Sequence, residues 1–211
     1  EFEVSFDSSA IGSIYAKGLT KAEEENRITK VPYDTSLKVN TFWDLGMADS
    51  TSIWFMQQKG SAFHIIDYEE HAGEGLEYYA NLLQEKGYLY DTHYLPHDAN
   101  VREIGTGVSR LETAQSLGLR TSIVPKLSIE DGINAVRQVI SKCWWDYDKC
   151  KEGLDALRQY RWAQNQRGEI KAKPVHDWTS HAADSFRYFA VGNQQTTQWT
   201  TKIDYPQQGI I

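Results

Sequence analysis

Val39-Asn-Thr-Phe-Trp43, Ser52-Ile-Trp-Phe-Met56 and Phe63-His-Ile-Ile-Asp67 are three runs rich in β-branched and aromatic residues, separated by Gly46-Met-Ala-Asp-Ser50 and Gln57-Gln-Lys-Gly60. Runs this short, punctuated by turn residues, predict an antiparallel three-strand meander. Downstream, Gly75 to Gln84 carries Leu76, Tyr79, Ala80 and Leu83 at helical spacing and stops before Gly87, as a helix ended by glycine should. Thr92-His-Tyr-Leu-Pro96 predicts a fourth strand, Leu111 to Leu117 a short helix, and Arg120-Thr-Ser-Ile-Val124 a fifth strand. Ile129, Ile133, Val136, Val139, Ile140 and Cys143 mark one long amphipathic helix capped by Ser128. The order β-β-β-α-β-α-β-α predicts an α/β domain: a mixed five-stranded sheet, three strands antiparallel and the rest added in parallel, with helices on its faces.

Residues 1–35 read as a lead-in, because the charged run Lys21-Ala-Glu-Glu-Glu-Asn26 suits a surface helix or linker arm better than a core element. Tyr160 to Lys173 carries a polar Asn-Gln-Arg-Gly turn between two arms and predicts a protruding β-hairpin. A helix capped by Thr179 or Ser180 runs through Ala190, and beyond Gly192 the tail 193–211 is polar and reads as loose. The main domain is therefore expected over 36–192.

With 211 residues, 40% hydrophobic content and seven tryptophans, one sizeable core is expected. The formal net charge of −7 leaves any contact with nucleic acid to local Lys and Arg clusters. Two cysteines, Cys143 and Cys150, in what reads as helical sequence, build neither a disulfide framework nor a zinc site, so a reducing, cytoplasmic setting is the default. No apolar run approaches a membrane span. The missing initiating Met suggests a fragment of a longer protein.

The predicted strand order is similar to that of the RNase H-like fold, in which the first strand is central and the fourth lies beside it. Asp44 ends the first predicted strand and Asp98 follows the fourth, at the sheet end where open α/β sheets gather their sites. Either could equally be an ordinary turn former or cap. Asp184 sits inside a predicted helix among Ala182, Ala183 and Phe186, where Asp is a poor helix former and small neighbours permit close approach to the sheet. Three convergent carboxylates suit two hard divalent cations, Mg2+ or Mn2+, and phosphodiester hydrolysis.

Phe42-Trp-Asp-Leu-Gly-Met-Ala-Asp-Ser-Thr51, Pro96-His-Asp98 and His176-Asp-Trp-Thr-Ser-His-Ala-Ala-Asp-Ser-Phe-Arg-Tyr188 together resemble the carboxyl-terminal nuclease domain of tailed-phage large terminase subunits. The resemblance covers roughly 38–191. It implies an Mg/Mn-dependent endonuclease that cuts concatemeric double-stranded viral DNA as packaging starts and ends, in the bacterial host cytoplasm on the procapsid, with no membrane. It also implies an ATPase domain in the same polypeptide, with the portal protein and the small terminase subunit as partners. This chain has no G-x-x-x-x-G-K-[ST], so the ATPase half is expected to be absent and residues 1–35 to be its linker.

By that resemblance Asp44, Asp98 and Asp184 match the family's acidic metal ligands, Asp49 is a candidate further acid, and Glu103 is the substitute should Asp98 not serve. His176 and His181 read as surface or capping residues, with orienting a carboxylate or contacting a phosphate as the alternative, and Arg187, one turn after Asp184, is placed to pair with that acid or a neighbour. Arg158, Arg161, Arg167, Lys171 and Lys173, interleaved with Tyr160 and Trp162, form a candidate DNA-tracking strip. Two rival readings stand beside this one. One is a PD-(D/E)xK-type nuclease using Asp98, Glu169 and Lys171; the other is a non-catalytic docking or DNA-binding module for the portal or capsid ring.

Overall fold

The computed structural model describes residues 12–46, 50–165 and 167–199, with side chains to residue 192. Helix α1 (Ala16–Glu24) and strand β1 (Ile28–Thr29) lead into the meander β2 (Val39–Asp44), β3 (Ser50–Lys59) and β4 (Ala62–Ala72). There follow α2 (Leu76–Lys86), β5 (Tyr90–Leu95), α3 (Arg110–Ser116), β6 (Thr121–Ile123), α4 (Ile129–Val139), β7 (Cys143–Asp146) and α5 (Lys151–Gln159). A hairpin of β8 (Trp162–Gln164) and β9 (Ile170–Pro174) precedes α6 (Thr179–Trp199).

The main sheet has seven strands in the order β1-β7-β4-β3-β2-β5-β6. Five consecutive strands, β4-β3-β2-β5-β6, are the expected ones: β3 is antiparallel to β2 and β4, while β5 runs parallel to β2 and β6 parallel to β5. The hairpin forms a separate two-stranded sheet. No helix among the described residues is long and apolar enough to cross a membrane.

Two strands lie outside the expected five. The helix read as continuing through Cys143 ends at Val139, and after one 3-10 turn Cys143-Trp-Trp-Asp146 turns extended and pairs in parallel with β4. Arg27 braces this change: its Nη1 donates to the carbonyls of Ile140 at 3.0 Å and Cys143 at 2.7 Å, on either side of the switch from 3-10 turn to strand. Cys143 therefore opens a strand, and Cys150 sits just before α5.

The lead-in also differs from its expectation as a surface arm. Tyr15, Leu19, Ala22 and Val31 are buried, β1 pairs with β7, and the Val31 amide donates to Asp146 Oδ2 at 2.8 Å. At the other end, helix α6 continues past Gly192 to Trp199.

The core has two layers, one on each face of the sheet. On one face Phe42, Trp54, Met56, Ile65 and Trp145 pack with apolar residues of α1, α4, α5 and α6. On the other, Val39, Trp43, Ile53, Phe55 and Ile66 pack with Tyr79 and Leu83 of α2 and Ala114 of α3. Side chains alternate along a strand, so Asp44 shares the α6 face with Phe42. Helix α6 comes close because Ala182 and Ala183 are small and fully buried. Trp54 Nε1 donates to the Ala182 carbonyl at 2.9 Å, and Ser52 Oγ to the His181 carbonyl at 2.8 Å.

Candidate active site

Three elements meet at one end of the sheet. Asp44 is the last residue of β2, and Ser52 of β3 stands directly across from it. Strand β5 lies beside β2 with Tyr94 opposite Phe42, and the chain then turns at Pro96 into a one-turn 3-10 helix (His97–Asn100) that carries Asp98. Helix α6 starts where Asp177 Oδ1 accepts from the Thr179 amide at 3.0 Å, an N-cap role the sequence reading gave to Thr179 or Ser180. Asp184 follows in its second turn, and the anchors from Ser52 and Trp54 hold that turn on the sheet.

All three acids act on one side chain. The Tyr188 phenol, one turn after Asp184, is pushed well above its ordinary value by burial first, then by the charges of Asp44, Asp184 and Asp98. Asp184 itself is pushed up to about 6: burial is the largest cause, Arg187 opposes it, and the charge of Asp44 adds to it. A carboxyl made costly by confinement and by a like charge is one that a cation would relieve.

Each acid faces a basic side chain. Arg187 Nη2 lies 2.7 Å from Asp184, Arg110 Nη2 lies 3.4 Å from Asp98, and His181 Nδ1 lies 3.4 Å from Asp44 Oδ2. Among the described residues no three His, Cys, Asp or Glu side chains stand, as placed, in a group that could hold a metal ion. The donors fit a hard divalent cation in kind, being carboxylate oxygens on three rigid elements. Enclosing one requires the carboxylates to reorient toward one another, which Asp98 can do with Oδ1 while Oδ2 stays beside Arg110.

The family profile of the terminase RNaseH-like domain matches residues 41–190, which include all three acids. The chain belongs to that family. Among curated protein sequences none matches it. Among solved structures, this terminase RNaseH-like chain is similar to the large terminase of a thermophilic bacteriophage in complex with ATP-gamma-S, with a TM-score of 0.66 and 20% identity over 85% of this chain and 45% of that one. It is similar to the P22 large terminase nuclease domain, with a TM-score of 0.61 and 16% identity over 81% of this chain and 89% of that one. The nuclease domain of the bacteriophage SPP1 large terminase, solved with bound Mn, gives a TM-score of 0.56 and 13% identity over 75% and 86%. At such identities the likeness is one of fold, and the fold is RNase H-like. The chain spans less than half the length of the large terminase seen with ATP-gamma-S.

The remaining residues singled out in the sequence are distributed differently. Asp49 lies outside the described residues. Glu103 sits in a turn where its amide donates to the Val108 carbonyl at 3.1 Å. Lys171 and Lys173 on β9 and Arg167 at the hairpin turn are exposed, whereas Arg161 lies 3.1 Å from Asp177. Arg158 points inward, bonded to Glu23 of α1 and to Asp155, so its charge ties α5 to α1 and is not on the strip. Glu169 accepts from the Asn165 side chain within the hairpin turn, a position that favours turn formation over the rival lysine-assisted site.

Two contacts were weakly legible or not legible from sequence. His181, read as a surface or capping residue, approaches Asp44 because the first turn of α6 crosses the end of β2. Arg110 was passed over: the capping-box spelling Ser109-x-x-Glu112 marks its helix start, but nothing local shows where its guanidinium points.

Proposed function

We propose that this domain is a divalent-metal-dependent endonuclease that hydrolyses phosphodiester bonds of double-stranded DNA during viral genome packaging. What supports the reading is that Asp44, Asp98 and Asp184, on three separate elements, all lie within electrostatic reach of Tyr188, with Asp44 ending β2 beside β5 and α6. Asp44, Asp98 and Asp184 would hold two Mg2+ or Mn2+ ions, which supply Lewis-acid activation of water and neutralise charge at the scissile phosphate. His181 and Arg187 hold Asp44 and Asp184 in their present orientations. Lys171 and Lys173 on the exposed hairpin would contact the phosphate backbone without reading base edges, so cutting is weakly sequence-specific. The manganese bound to the SPP1 nuclease domain supports the choice of metal.

The domain boundaries are part of the same proposal. Residues 36–192 carry the nuclease, residues 193–211 follow as a polar carboxyl-terminal tail, and residues 1–35 continue from an ATPase domain of the same polypeptide, although they add buried side chains to this core. Portal protein and small terminase subunit would be its partners at the procapsid in the host cytoplasm.

Incubation with supercoiled plasmid and Mn2+ or Mg2+ tests the activity. Nicked and linear products are expected, absent with a chelator and lost in Asp44→Asn at an unchanged melting temperature. Cleavage that persists in Asp44→Asn would remove the acids from the chemistry, and no cleavage by the native chain would favour the docking-module reading.

A further inference from the structure

Of the three acids, Asp98 has the least local constraint, lying on a single 3-10 turn with 53% of its side chain exposed. What reaches it is Arg110, the first residue of α3, whose side chain is only 17% exposed. Arg110 Nη1 donates to the Leu45 carbonyl at 3.0 Å, and Nη2 lies 3.4 Å from Asp98 Oδ2. One planar guanidinium thus spans the residue that follows Asp44 and the side chain of Asp98. The two nitrogens of the fork are fixed relative to each other, so it acts as a spacer as well as a charge.

The base of this spacer is itself held. Ser109 is buried; its Oγ accepts from the Glu112 amide at 3.1 Å, and its own amide donates to the Glu112 carboxylate at 2.8 Å. That capping box sets the direction in which α3 leaves the loop, and with it the origin of the Arg110 side chain.

We infer that Arg110 is a positioning residue that sets the separation of Asp44 and Asp98 by tying the backbone after β2 to the Asp98 carboxylate. The inference rests on reading the acids as a metal-holding site. A guanidinium beside that site also opposes an incoming cation. Here its charge is paired with Asp98, so removing it takes away chiefly position, and the net effect is weaker metal binding.

The test uses the whole 211-residue chain with R110A, R110K, D98N, D44N and the double variant R110A/D98N. Free Mn2+ is titrated by electron paramagnetic resonance, melting is recorded, and plasmid nicking is followed against both Mn2+ and DNA concentration. Arg110→Ala is expected to weaken Mn2+ binding about tenfold, the scale on which supporting contacts act on metal sites. It should lower kcat while leaving the KM for DNA little changed, and Arg110→Lys should recover part of the loss. Added to D98N, R110A should change Mn2+ binding by less than about twofold, because it acts through a carboxylate already neutralised. Mn2+ binding as tight as in the native chain, or an R110A effect that multiplies with D98N, overturns the inference; should R110A fail to fold, R110K carries the same comparison. If D44N and D98N both lose Mn2+ and R110A does not, only the role of Arg110 fails. If D44N and D98N bind Mn2+ like the native chain, the metal-site reading itself fails.

Discussion

His93 shows how burial at a single residue shapes this protein. It lies on β5 under the second core layer, with Nδ1 2.7 Å from Thr41 Oγ1, which in turn accepts from Trp43 Nε1 at 2.6 Å. Burial pulls its imidazole from 6.5 down to about 4. The unfolded chain therefore binds a proton that the folded chain refuses, and stability present above pH 6.5 falls as the pH drops toward 4, by about 3 kcal/mol for this residue alone. Urea unfolding of the native chain and of His93→Gln at pH 7 and pH 4.5 checks this: the variant should be less stable at pH 7 yet lose less on acidification. An equal acid loss in both would place the titration elsewhere. At this scale Asp44 and Asp184 could be picked out in the sequence as candidates, because each is an acid among bulky or small apolar neighbours where a charge needs a reason. The contacts of His181 and Arg110 were not, because they depend on how α6 and α3 cross the ends of β2 and β5.

At the scale of elements, two placements have measurable consequences. Helix α5 packs so closely on the sheet that a Cβ built at Gly153 would stand 2.3 Å from the Trp54 ring and 2.9 Å from Tyr68. Gly153→Ala, favourable by helix propensity alone, is expected here to destabilise by about 1–3 kcal/mol through overpacking, read as a lower denaturant midpoint. A stabilised variant would mean that α5 sits farther out. The hairpin gives the second case, since Lys171 and Lys173 are exposed while Arg158 bridges Glu23 and Asp155. Lys171→Ala with Lys173→Ala should weaken binding of duplex DNA evenly across sequences and flatten its salt dependence. Arg158→Ala should instead lower the melting temperature and leave DNA binding nearly unchanged; the reverse pattern would exchange their roles. The meander and the two parallel additions were legible because each is a β-rich run closed by turn residues. Strand β7 was not, because Ile140 and Cys143 continue the helical apolar period up to the residue where the chain turns extended.

Over the whole molecule, the chain carries its acids at one end of a sheet whose layers α4, α5 and α6 on one face and α2 and α3 on the other hold β2 and β5 in register. A net charge of −7 means that the proposed contact with DNA rests on local basic groups, and it favours cations wherever carboxylates converge. The burial of Ile14, Tyr15, Leu19, Ala22 and Val31 shows why the lead-in reads as an arm in sequence: Lys21-Ala-Glu-Glu-Glu-Asn26 announces its wet face, while the residues that pack are scattered around that run. The central claim is that Asp44, Asp98 and Asp184 form one divalent-cation site. Crystals of the domain soaked in Mn2+ and measured at the manganese absorption edge test it most directly. Anomalous density is expected among those three carboxylates, and density confined to another acidic group, such as Asp67 and Glu69 around Lys86, would contradict it.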